Sequence, residues 1–252
     1  MAPPPTLPAG YGSCLVPRED AVTAFGNTAT AVLERVSHGT DSVAGQIDLH
    51  NLFTAIGLIF WGFATASRPV CDGDYGGPLG RATGTRMIHL DKRSARSCDP
   101  RTQQVIPELS ELRKEFAKAR RAAIQIDGFD GVRFQELGEP LIFFLTQRVR
   151  PATATSEWVR YVFRLYPELT NVFPFALNVG RHALATMLAE LELEPALRRY
   201  GLGHQRNHAE SLSRFSLALI RHYETAFATA ASGWLQRCHL TVPRFPSRGV
   251  AL

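Results

Sequence analysis

Apolar residues recur at helical spacing along most of the chain, and short alternating runs interrupt them. Residues 19 to 37, EDAVTAFGNTATAVLERVS, predict one helix. Residues 45 to 66 predict a second helix that is apolar almost throughout. Its richest stretch, Leu52 to Ala66, is shorter than the ~20 residues a membrane-spanning helix needs and ends at Ser67-Arg68-Pro69, so a buried core helix is expected. Gly73 to Gly84 is rich in turn formers. Met87, Ile88 and Leu90 suggest a strand, Lys92 to Pro100 a turn or loop, and Gln103 to Ile106 a returning strand. Pro107 opens a long helix with Leu109, Leu112, Phe116 and Ala119 on one face. Glycines and a proline make residues 127 to 140 a loop. Leu141 to Arg150 and Glu157 to Leu165 read as apolar helical segments separated by Pro151. From Gly180 the pattern is helix, loop, helix: GRHALATMLAELEL, EPALRRYGLGHQRN, then SLSRFSLALIRHYETAFATAASGWL. The expected class is α+β, mostly helical, with a small β-hairpin or three-stranded sheet.

This order divides the chain into a Pro-rich, disordered leader over residues 1–18, a short helical segment over 19–44, a main domain over 45–237 and an irregular tail over 238–252. Hydrophobic residues are 45% and charged residues 20% of the chain, which excludes global disorder. The net charge of +5 permits a polyanionic partner but does not by itself argue for one. Cys14, Cys71, Cys98 and Cys238 are widely spaced and form no CxxC pair, so neither a disulfide framework nor a zinc ribbon is expected. With no secretory signal in the sequence, a cytoplasmic, non-membrane protein is the expectation.

The candidate chemistry lies between Asn178 and Phe215. Arg181-His182-Ala183-Leu184-Ala185-Thr186 is followed by Leu188 and then by Leu202-Gly203-His204. This resembles the pattern HxxRH-A-x-A-T-x-L, then LGH, of the tyrosine recombinases, the phage-type integrases. Two upstream segments fit the same family. Thr65-Ala66-Ser67-Arg68-Pro69-Val70 resembles its "TGxRPxE" run. Leu90-Asp91-Lys92, with Arg101 to Pro107 as a strand ending like "VPL", resembles its lysine-bearing hairpin. The resemblance spans roughly residues 45 to 235 and implies a recombinase-like catalytic-domain fold preceded by a reduced or missing core-binding domain. It also implies duplex DNA as partner, possible homo-oligomers on DNA, and no metal or other cofactor.

By this resemblance Arg68 and Arg181 would neutralise the non-bridging phosphate oxygens, and Lys92 would protonate the leaving sugar oxygen, with Arg93 and Arg96 as rivals. His204 would hold the phosphate or relay a proton. Each residue also has a plain structural reading. Arg68 completes a helix dipole, Lys92 is a solvated loop lysine, Arg181 is a surface residue, and His204 caps or packs a helix. His204 and His208 have the spacing of a metal pair but lack a third ligand. Two positions depart from the family. Asn178 stands where it has its first histidine, and an amide is neither acid nor base near neutrality. Phe215 stands where it has the nucleophilic tyrosine, in ESLSRFS against "QEPLGRYS". A phenyl ring cannot form a phosphotyrosyl ester. The sequence therefore suggests a DNA-binding, cleavage-deficient integrase relative. One alternative is an active recombinase using Tyr223 or an unorthodox nucleophile such as Ser213. Another, of a different class, is a non-catalytic helical structural or adaptor protein.

Overall fold

The computed structural model describes residues 18–66, 86–89, 101–173, 177, 179–192 and 217–246, with backbone alone for 86–89, 101–102 and 217–220. The first helix, α1 (Glu19–Ser37), starts with two carboxylates at the positive end of its dipole. Val22, Phe25, Ala29, Val32 and Leu33 form its buried stripe. Helix α2 (Val43–Thr65) is capped by Ser42 Oγ, which accepts from the Gly45 amide at 3.1 Å. From Ile47 onward it has no polar face, and all of these residues except Asp48 and Gly62 are buried. By length and composition it would cross a membrane, yet 89% of its most apolar window is covered by the rest of the chain.

Six elements provide that cover: α1, α3 (Pro107–Ile124), α5 (Ser156–Leu165), α7 (Val179–Glu190), α8 (Leu217–Arg237) and the strand β3 (Phe143–Leu145). α1 belongs to the same hydrophobic core as α2. Phe25 meets Phe173 with ring centroids 4.8 Å apart. The chain after α8 has no helix or strand through residue 246. It is nevertheless tied down. The Phe245 amide donates to Glu115 Oε2 at 2.9 Å, and its ring meets Phe53 edge-on. Thr23 Oγ donates to the Cys238 carbonyl at 2.6 Å.

The strands β1 (Arg86–His89) and β2 (Arg101–Gln104) form an antiparallel pair with Arg86 opposite Gln104. The returning strand ends two residues earlier than expected, because Ile106 already serves as the N-cap of α3 and Pro107 occupies its first turn. Two short helices were not expected. α4 (Gly131–Glu136) lies in the segment read as loop, where Asp130 Oδ1 accepts from the Arg133 amide at 2.9 Å. α6 (Pro167–Val172) begins on a proline and buries Leu169.

The largest correction falls on Leu141 to Arg150, read as helical. The segment instead forms β3, a tight turn, and the start of β4 (Pro151–Thr153), with Phe143 opposite Thr153. A short apolar run does not distinguish strand from buried helix by periodicity. What decides it here is a partner outside the segment. Asn51 of α2 donates from Nδ2 to the Leu145 carbonyl and accepts at Oδ1 from the Leu145 amide, both at 2.8 Å. His50 Nε2 lies 3.0 Å from the Phe143 carbonyl, which can only accept, so this nitrogen carries the proton. Two side chains of α2 thus occupy the edge of β3 that a third strand would otherwise pair. Among the described residues the sheets remain two separate two-stranded hairpins, not a three-stranded sheet.

His50 is 3% exposed. Burial lowers its pKa from the ordinary 6.5 to about 4, although the Phe143 and Ala119 carbonyls pull the other way. Unfolding then takes up a proton between these two values. The stabilisation is complete above about pH 6.5 and is lost as pH falls toward 4, by roughly 1.4 kcal/mol per unit for this one group. Urea unfolding at pH 7, 5.5 and 4.5 is expected to show this loss. In His50→Gln, which keeps the donor without the titration, the fall over the same range is expected to be shallower.

Candidate functional site

The last turn of α2 is apolar and carries no basic residue. The helix stops at Ala66, in the left-handed region with φ 53°, whose amide donates to the Gly62 carbonyl at 3.0 Å. Such an end leaves carbonyls without helical partners and carries the negative pole of the dipole. The missing cation comes from another helix. Arg181, in the first turn of α7, donates from Nη1 to the Ala66 carbonyl at 3.0 Å and is 5% exposed. A cation in the first turn opposes the dipole of α7, so it is α2 that favours this placement.

Gly180 makes the approach possible. A Cβ at this position would stand 2.5 Å from both the Gly62 carbonyl carbon and the Phe63 nitrogen. These are backbone atoms of α2 and have no room to yield. Sequence reasoning passed over Gly180 as part of a helix, although a glycine inside a helical pattern is itself a signal of close packing.

Two further elements meet the same end of α2. Gln103 of β2 is buried, and its Nε2 donates to the Ala64 carbonyl at 3.1 Å. α8 packs against α2, α7 and β2. The end of the central helix, the first turn of α7, the hairpin and the last helix are therefore assembled in one place. Tyr223 lies on α8 and is 2% exposed. Its hydroxyl is not presented to any solvent-borne phosphate, so attack from there would require the helix to shift.

Of the sequence-derived site residues, Arg181 and Tyr223 are described. Arg68, Lys92, Asn178, His204, Ser213 and Phe215 lie outside the described residues, as do Arg93, Arg96 and His208. Among the described residues no cluster of three or more His, Cys, Asp or Glu side chains is arranged to hold a metal ion. No family model matches the chain, and no curated protein or solved structure matches it either.

The Gly180 contact gives a direct test of the helix crossing. Gly180→Ala is expected to destabilise the protein by about 3 kcal/mol, because the methyl collides with fixed backbone. Gly62→Ala adds its methyl 4.0 Å from the nearest atom, the Leu177 carbonyl oxygen, and is expected to be neutral or slightly stabilising. Chemical denaturation of the two variants side by side reads the difference.

Proposed function

We propose that this chain is a DNA-binding relative of the tyrosine recombinases that does not cut DNA. The observation that carries the reading is the hydrogen bond from Arg181 to Ala66. It joins the RH motif of α7 to the end of α2, two residues before Arg68 in the sequence. These are the two segments that the family resemblance requires to meet around one phosphate. Two guanidinium groups suit that task, since each presents a flat, permanently charged fork to paired oxygens. The positions of β2 and α8 beside the same helix end agree with this arrangement. Phe215 in place of the nucleophile, and the burial of Tyr223, argue against strand cleavage.

One observation favours a different class. Arg181 is almost fully buried and bonded to a backbone carbonyl, which also suits a purely structural clamp between two helices. On that reading the chain is a helical adaptor, and its resemblance to the integrases carries no DNA chemistry.

Fluorescence anisotropy with a labelled duplex separates the two. DNA binding is expected at low salt, and raising salt from 50 to 200 mM should weaken it by about tenfold or more as condensed counterions cease to drive association. Arg68→Ala is expected to weaken it further while leaving the thermal transition unchanged. Absence of binding at 50 mM salt would leave the adaptor reading.

The cleavage chemistry has its own test. With a nicked suicide duplex, the wild-type chain is expected to form no covalent adduct on a denaturing gel. Phe215→Tyr is the single change expected to produce one, since covalent catalysis needs a hydroxyl aligned within about 3.5 Å of phosphorus. A wild-type adduct that disappears in Tyr223→Phe would instead establish an active recombinase.

A further inference from the structure

Asp48 and Ala66 lie near opposite ends of α2, roughly 27 Å apart along the helix. Beside Asp48 a cleft of about 810 Å³ opens between α2, the β3–β4 turn and α5. Its aromatic wall belongs to α5. Trp158 stacks on Phe144 with ring centroids 5.3 Å apart and planes 12° from parallel, and Tyr161 meets Trp158 edge-on at 5.8 Å. Val159, Val162 and Phe163 of α5 are buried, and Val162 also lines the cleft. Tyr161 remains 42% exposed and Leu165, one turn on, 52%. Large apolar side chains left together beside a cleft mark a binding surface more often than scattered ones do.

The cleft also concentrates charge. Arg148 and Arg150 come from the β3–β4 turn and Arg164 from α5. Arg150 additionally faces Asp130 across 3.4 Å. Between the two turn arginines, Val149 has φ 54°, a conformation that a β-branched residue seldom adopts. Its buried side chain sits in the cluster of Phe134, Phe143 and Leu145. Its amide donates to the Thr146 carbonyl at 2.9 Å, and its carbonyl accepts from the Asp130 amide at 3.3 Å. The turn backbone is thus held in a conformation that favours glycine, with an arginine on each side. Two carboxylates face the same space. Glu157 is exposed at the start of α5. Asp48 is exposed on α2, and partial desolvation raises its pKa above the ordinary carboxylate range.

We infer that this cleft is a nucleotide site, distinct from the Arg181 region. It takes the base against Trp158 and Tyr161, the phosphate between Arg148 and Arg164, and an exocyclic amino group of the base at Asp48. The combination fixes the ligand class. Inorganic phosphate would leave the aromatic wall unused. A fatty acid would place its carboxylate at the arginines but offers no N–H donor to Asp48. A nucleotide supplies a π-face, a divalent anion and N–H donors in one molecule. The same chemistry occurs in a free mononucleotide and in one unit of a single strand.

Isothermal titration of the full chain tests this with dCMP, deoxycytidine, dTMP, inorganic phosphate and the octamer of deoxycytidylate. dCMP is expected to bind at least about tenfold more tightly than deoxycytidine, dTMP or phosphate, since deoxycytidine lacks the phosphate, dTMP the exocyclic amino group and inorganic phosphate the whole base. Tyr161→Ala and Arg164→Ala are each expected to weaken dCMP by about tenfold without moving the thermal transition, because both side chains are exposed. Asp48→Asn is expected to remove the preference over dTMP. An octamer tighter than dCMP at equal site concentration identifies a single strand as the source, and equal affinity identifies the free nucleotide. dCMP binding no tighter than inorganic phosphate, or unchanged in both Tyr161→Ala and Arg164→Ala, overturns the inference.

Discussion

A helix with no polar face has to be covered on every side, and α2 imposes this requirement on the whole chain. Fully burying a large apolar side chain contributes about 1.5 to 3 kcal/mol, and α2 presents such side chains around its whole circumference. Shape has to match as well as polarity. Gly57 leaves the space that the Phe116 ring of α3 fills, since a Cβ there would stand 2.6 Å from the ring. Gly180 lets α7 touch the α2 backbone itself. The functional proposal depends on the same constraint. Arg181 reaches Ala66 because α7 is pressed onto α2, and it is held there by the unsatisfied carbonyls of a helix end that lacks a cation of its own.

Two buried polar residues within α2, His50 and Asn51, find partners outside the helix. Asn51 and His50 would be costly in such surroundings without hydrogen bonds. They obtain them from the backbone of β3, and β3 in turn obtains an edge partner that keeps it from pairing elsewhere. The same few atoms therefore satisfy two buried side chains and specify a strand. The hairpin they anchor carries the strained turn at Val149 and the arginines beside it, so the shape of the nucleotide cleft is set from the middle of the core.

The extent to which the sequence discloses this varies with the range of the interactions. α1, α3 and α5 are legible because their apolar stripes and early carboxylates, and in α3 the initial proline, are local signals. α2 is legible as buried because it is too apolar to face water. The β3–β4 hairpin is not legible, because its identity comes from side chains more than ninety residues earlier in the chain. α4 hides among glycines, and its sole clue is the Asp130 cap. Of the candidate site, the residue types at Arg68, Arg181 and His204 are visible in the sequence through their spacing. The packing role of Gly180 and the capping role of Arg181 appear only when the two helices are brought together. The aromatic cleft on α5 has no linear motif at all. It is assembled from α2, a hairpin turn and a later helix.

The separation between α2 and its covers also matters during synthesis. About 110 residues lie between Thr65 at the end of α2 and Val179 at the start of α7, and α8 follows later still. At ordinary translation speeds the ribosome needs on the order of 5 to 20 s to supply that length. During this interval α3, β3 and α5 are made, while α7 and α8, which complete the cover of α2, do not yet exist. α1 and α3 can shield part of it, but the flank reserved for Gly180 and Arg181 stays open. A nascent chain of this design carries an uncovered apolar flank until α7 is made, so the order in which its helices are made sets how long that flank is exposed to aggregation.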